Sequence, residues 1–191
     1  MTWPASWLDR PIFVYADVPY RIRAYRELLR DPRASVRYDG HAAEQSARRI
    51  RDIGSDGRLV VRADGAIHHV TLLEKLLVLV LAKLASLVPE GGIWMNTQRP
   101  EWNDANNALV GQGLSMVTLY YLRRYVRFLE DLLADEGETF DVSSEIATWL
   151  AESASALHRF RPIIDADGVT AANRLELLRE LGEAAGRYRA T

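Results

Sequence analysis

The chain has 191 residues, 48% of them apolar and 26% charged, with a formal net charge of −2. That is an ordinary globular composition, long enough to bury a substantial core in one domain or at most two. Near-neutrality argues against a nucleic-acid binder, and the absence of cysteine removes disulfide frameworks and thiolate metal sites, which suits a cytoplasmic setting.

The opening stretch, MTWPASWLDRPIF, has no basic segment followed by an apolar one, so no signal peptide is expected. Residues 1–16 read as irregular, with Trp3, Trp7, Ile12, Phe13 and Val14 packing onto the rest. DVPYRIRAYRELLRDP starts at an Asp, carries a Pro in its first turn and stops at another Pro, which predicts a helix over about 18–30. GHAAEQSARRIRDIG, with glycine at both ends, predicts a second. The period then changes: GRLVVRADGAIHHV places two short β-rich runs around Asp64-Gly65, the signal of a small β-hairpin.

The most hydrophobic run, TLLEKLLVLVLAKLASLV, has about the length of a membrane span, but Glu74, Lys75 and Lys83 interrupt it. It predicts a buried helix over about 71–88 that ends at Pro89, and no membrane partner. Because it is apolar nearly all round, it should be covered on most sides, whereas the helices at 41–53 and 170–188 are one-sided. GGIWMNT reads as a short extended piece. From about 105 to 134 the pattern is one long helix, with Leu109, Leu114, Val117, Leu122, Val126 and Leu129 as its apolar stripe. Gly111 and Gly113, inside that pattern, read as close helix contacts or a kink. Two more amphipathic helices are expected over about 142–160 and 170–188, with the DADG turn at 165–168 between them. Covered and one-sided helices together predict a mainly α fold, either a two-layer α/α arrangement or an irregular bundle.

The chemistry concentrates in QRPEWNDANNALVGQG, residues 98–113. Two carboxylates, Glu101 and Asp104, crowd around Trp102 with Asn103, Asn106 and Asn107. One reading is a helix cap, since Asn and Asp side chains satisfy the free N–H groups of a first turn. Capping does not use so many such residues, nor a Trp. The other reading is a site: a carboxylic acid partly desolvated by an aromatic ring has its pKa raised toward working pH and serves as a general acid. Trp102 is then a stacking platform for a sugar or base rather than a core anchor. Arg99 and Glu101 are expected to form at most a local ion pair, worth little if exposed, and Gln98, Asn96 and Asn106 to offer hydrogen bonds to hydroxyls or to one another.

Other candidates are weaker. His68 and His69 are adjacent in an expected strand and so point to opposite faces, which rules out joint chelation, and no metal site is expected. DADG lacks the later ligands of a calcium loop. GQG at 111–113 has neither the preceding strand nor the Lys of a phosphate loop. Tyr120, Tyr121, Tyr125 and Phe128, at helical spacing, read as core and surface lining.

The EWNDANNALVG stretch resembles the active-site motif of the cellobiose and chitobiose phosphorylases, a family of (α/α)6-barrel proteins acting on glycosides. The resemblance rests on Trp102, Asn103 and Asp104, with Ala105, Asn107 and Gly111 in the matching neighbourhood, and its specific part covers about residues 98–113. Glu101 stands where those phosphorylases usually carry Asp. The resemblance implies that Asp104 is the general acid that protonates the glycosidic oxygen. It implies further that Trp102, Asn103, Arg99, Glu101, Asn106, Asn107 and Gln98 bind an oligosaccharide or disaccharide. No cofactor is implied beyond inorganic phosphate as co-substrate in a phosphorylase.

The implied fold is a helical-hairpin, α/α-toroid-like array. Residues 1–40 would be an N-terminal extension and first helix, and 41–191 the hairpin region carrying the motif, all in one partial domain. A full ring needs twelve helices; at about 12 residues per helix plus loops, this chain makes about half. The expectation is therefore a fragment of a larger enzyme, or a chain whose ring is closed by the missing half or by a homodimer partner. The expected chemistry is inverting, by a phosphorylase or a hydrolase. In a hydrolase a second carboxylate would activate water about 6.5–9.5 Å from the acid. The alternatives are a non-catalytic helical interaction or carbohydrate-binding module, and a plain structural piece in which the motif is only a cap.

Overall fold

The computed structural model describes residues 8–96, 110–134, 139–166 and 168–190, and over these the chain is mainly helical with short β pairings. In order they are β1 (Phe13–Val14), β2 (Tyr20–Ile22), α1 (Tyr25–Arg30), β3 (Val36–Tyr38) and α2 (Gly40–Ile53). A 3-10 turn (Gly54–Arg58), β4 (His69–Val70), α3 (Leu72–Leu84), β5 (Leu87–Val88) and β6 (Gly92–Trp94) follow. Then come β7 (Leu114–Ser115), α4 (Met116–Leu133), α5 (Ser144–Ile164) and α6 (Ala171–Tyr188).

The helix expected over 18–30 is cut to α1. Pro19 disfavours helical backbone at Val18, and the next three residues pair instead with β3, in the register Tyr20↔Tyr38, Arg21↔Arg37, Ile22↔Val36. The second helix forms as expected, with the Asp39 side chain accepting from Ala42 N–H and Gly54 closing it at φ 76°. The Asp64-Gly65 turn is present, with Gly65 at φ 83° and a bridge between Val61 and Ile67. The strand that follows it, β4, pairs with β1.

Two boundaries of the expected helices move. α3 stops at Leu84, because Leu87 and Val88 leave the helix to pair with β6. The long helix expected from about 105 begins, among the described residues, only at Met116. Before it, Gly111 adopts φ 80°, and Leu114 and Ser115 pair with Trp94 and Ile93. The Ser115 side chain then caps α4 by accepting from Thr118 N–H. Gly111 is therefore a turn residue and not a kink inside a helix. The buried row of α4 also differs from the expected stripe. Leu122 and Leu129 are buried as expected, but Leu114, Val117 and Val126 are exposed. Leu119, Tyr125 and Leu132 complete the inward face. Leu109 lies outside the described residues.

α3 is the hub. One side, through Leu81 and Ala85, packs on Ile146 and Trp149 of α5 and Ala184 and Ala185 of α6. Another, through Val80, packs on Ile93, Leu122 and Leu129. Its apolar character is thus used on most sides, with Leu79 and Ala82 left exposed. α5 and α6 form an antiparallel pair around Ala156, Phe160, Leu177 and Leu181, and α6 begins with a Thr170–Asn173 capping box. No described helix is long and apolar enough to cross a membrane.

Candidate functional site

Gln98, Arg99, Glu101, Trp102, Asn103, Asp104, Asn106 and Asn107 all fall in 97–109, outside the described residues. The structure does describe both flanks of that segment. Past the end of β6, Met95 N–H donates to Gly113 O at 3.0 Å, and Gly111 N–H donates to Met95 O at 2.6 Å. Trp94 Nε1–H donates to Gly111 O at 3.3 Å. Gly111 is required here twice over: its φ is +80°, and a Cβ would sit 2.6 Å from Pro32 Cβ. The two flanks are therefore clasped to one another at one place.

That place is the wall of a cavity of about 290 Å³, at the small end of ligand pockets. Asn96 and Val110, the described residues on either side of the motif segment, both line it. Its polar groups come from separate elements. Lys83 and Ser86 come from the end of α3 and the turn after it, Ser115 and Thr118 from the start of α4, and Arg189 from the end of α6. Asn96 Nδ2 donates to Ser86 Oγ at 3.2 Å, and the Ser115 and Thr118 hydroxyl oxygens are 2.8 Å apart. Hydroxyls, an amide and cations share its wall with Ile22, Leu28, Ile93, Trp94 and Val110.

Two wall residues are unusual. Tyr25 is 3% exposed, and its ring lies so close over Gly182 that a Cβ there would be 2.3 Å from it. Its hydroxyl is enclosed without a hydrogen-bond partner. Burial, with Glu183 adding to it, pushes the phenol up to about 12. Arg189 follows α6 as its C-terminal cap. Its Nε is enclosed and lacks a hydrogen-bond partner, and burial lowers its pKa. Sequence reasoning missed both. No local pattern marks them, since they reach the cavity only through the packing of α1 on α6.

A second polar cluster lies at the base of α3. Glu74, 3% exposed, accepts from Ser143 N–H at 2.7 Å and from the Tyr15 hydroxyl at 3.4 Å. Lys75 Nζ donates to Val14 O at 3.0 Å and stands over the Tyr15 ring at 3.9 Å. Burial first, then Glu74, raises the Tyr15 pKa, and burial lowers that of Lys75. These charges, which interrupt the apolar run in the sequence, fasten the N-terminal strap and the start of α5 to the core. His69 Nδ1 lies 3.1 Å from Ile67 O, and no group of three or more His, Asp or Glu among the described residues is placed to hold a metal ion.

No protein-family model matches the chain, and no curated protein matches it.

Proposed function

We propose that the chain acts on a glycosidic bond by an inverting mechanism, as a glycoside phosphorylase or hydrolase, with Asp104 as general acid. One observation carries this reading. The described flanks of the stretch that holds Trp102, Asn103 and Asp104 are hydrogen-bonded to one another through Met95, Gly111 and Gly113, and Asn96 and Val110 beside them line a small cavity of mixed polar and apolar character. In this reading Asp104 donates its proton to the leaving oxygen as an oxocarbenium-like centre develops. Trp102 packs on the apolar face of the sugar, and Gln98, Arg99, Glu101, Asn103, Asn106 and Asn107 bind hydroxyls. The helical architecture is read as about half of an (α/α)6 ring. The α5–α6 hairpin and the walled-in α3 support this, and the exposed Val117, Tyr120, Tyr121 and Phe128 of α4 mark the face where the next hairpin would pack.

The test is turnover of β-linked disaccharides by the full chain and by Asp104→Asn, with and without inorganic phosphate. Loss of about 10²–10⁴-fold in the variant is expected of a general acid. Dependence of turnover on phosphate separates the phosphorylase from the hydrolase. Unchanged turnover in Asp104→Asn sinks the catalytic reading and leaves the helical interaction module.

A further inference from the structure

α4 is covered on one side. Leu119, Leu122, Tyr125, Leu129 and Leu132 pack with Val80 and Ile93. On the opposite side Met116, Val117, Tyr120, Tyr121 and Phe128 are each between 42% and 65% exposed. Val117, Tyr121, Arg124, Phe128 and Asp131 follow one another at steps of four and three, which places them in a single stripe, with Tyr120 and Arg127 beside it. That spacing is the seam of a helix that packs against another helix. An open groove of about 820 Å³ lies along its last part, between Tyr120 and Asp131. Apolar and aromatic side chains gathered on one exposed helix face mark an interaction surface.

The charges on this face select the helix that covers it. They are sorted along the axis: none from Met116 to Leu122, three arginines at 123, 124 and 127, then Glu130 and Asp131. A parallel copy would set like charge against like. An antiparallel copy sets the basic stretch of each helix against the acidic stretch of the other, and a two-fold axis does so twice. The midpoint between the two stretches falls between Arg127 and Phe128, which fixes the register. Arg124 makes no ion pair among the described residues and stands over the Tyr121 ring at 5.9 Å. Asp131 pairs with Arg127 of its own helix at 3.6 Å, but both side chains lie in solvent, and such a pair is worth little.

We propose that this stripe is a homodimer interface: the α4 of a second copy lies antiparallel on it, about a two-fold axis that passes between Arg127 and Phe128. Arg124 then faces Asp131 of the partner subunit, and Arg127 lies against the ring of Phe128 of the partner subunit. Val117, Tyr120 and Tyr121 extend the apolar seam at both ends. The glycoside reading leaves this face for a further hairpin; the dimer puts a second copy there and does not rest on that reading.

Sedimentation equilibrium of the full chain from about 1 to 100 µM tests this. The wild type should reach twice its chain mass of 21.6 kDa. Arg124→Asp sets acid against acid at both symmetry-related contacts and should weaken association at least about tenfold. Asp131→Arg sets base against base and should do the same. The two substitutions combined restore opposite charges, so the double variant should dimerise again. Both positions are exposed, so every variant should keep the circular dichroism of the wild type. The chain has no cysteine, so Phe128→Cys, beside the axis, should give a disulfide-linked dimer under a mild oxidant, whereas Leu175→Cys, exposed on α6, should not. A wild type that stays monomeric over that range overturns the proposal. So does a double variant as weak as either single one, or equal crosslinking from the two cysteine variants. Mass is read without turnover and Asp104→Asn should associate as the wild type does, so either proposal can fail alone.

Discussion

Two buried polar side chains, Glu74 and Tyr25, show how burial has opposite consequences depending on partners. Glu74 is enclosed but accepts two hydrogen bonds, so its charge has somewhere to go. The Tyr25 hydroxyl is enclosed and has no partner. A buried hydroxyl without a partner contributes little by its presence, so Tyr25→Phe should change stability by no more than about 1 kcal/mol at neutral pH. The variant should, however, alter the alkaline limb. The folded-state pKa of Tyr25 is about 12 against an ordinary 10, so between those values the folded chain keeps a proton that the unfolded chain releases. Stability is then fully present below pH 10 and is lost as pH rises through 12. Tyr15, Tyr125 and Tyr188 are shifted the same way and add to the decline. Guanidinium unfolding at steps from pH 9 to 11.5 should show a shallower decline for Tyr25→Phe. An unchanged slope would mean that Tyr25 is not the enclosed phenol described.

At the scale of elements, Gly111 sets the turn that leads into β7. A side chain there meets both a left-handed backbone and the Pro32 ring, so Gly111→Ala should cost about 1–3 kcal/mol by urea unfolding. The exposed glycine at φ 83°, Gly65, has nothing within 4 Å of its would-be Cβ, and its Ala variant should cost less. The same residue explains what was legible in the sequence. α2, α5, α6 and the Asp64-Gly65 turn could be read because their caps, glycines and periods are local signals. The starts of α1 and α4 were misplaced because the competing structure is not local. Leu114 joins a strand only because Trp94, far back in the chain, offers an edge to pair with. Helical periodicity through 105–134 carried no trace of that partner, although the Gly111-Gln112-Gly113 spacing was the one available hint. The candidate site was legible in the same uneven way. The motif residues stand out by type, whereas Tyr25, Lys83 and Arg189 arrive from three separate elements and have no signature before the chain is folded.

For the molecule as a whole, burial is concentrated around α3 and α6 and thins toward α2. Leu81, Leu177, Leu181 and Ala185 are fully enclosed, whereas α2 buries only Ala42 and Ser46. α2 folds mainly against its own following 3-10 turn, where Gly57 sits so close to the backbone of Arg49 and Ile50 that no Cβ fits. Ser46 Oγ and Arg49 Nε both donate to Gly57 O. α2 and this turn are tied to the N-terminal strap by the ion pair from Arg49 to Asp17 at 2.7 Å, with both side chains only about a fifth exposed, and by backbone bonds such as Asp17 N–H to Arg58 O. Local opening free energy follows buried apolar contact, so α2 should open without the core. Native-state hydrogen exchange should therefore show α2 amides exchanging faster than those of α3 and α6, with little dependence on low denaturant. Arg49→Met should speed exchange in α2 and leave α3 unchanged, because it removes the ion pair to Asp17 and the bond to Gly57 O and touches nothing in the hub. Equal rates and equal denaturant dependence in α2 and α3 would show instead that the chain opens as one cooperative unit. The Asp17–Arg49 pair would then belong to the global stability of the fold.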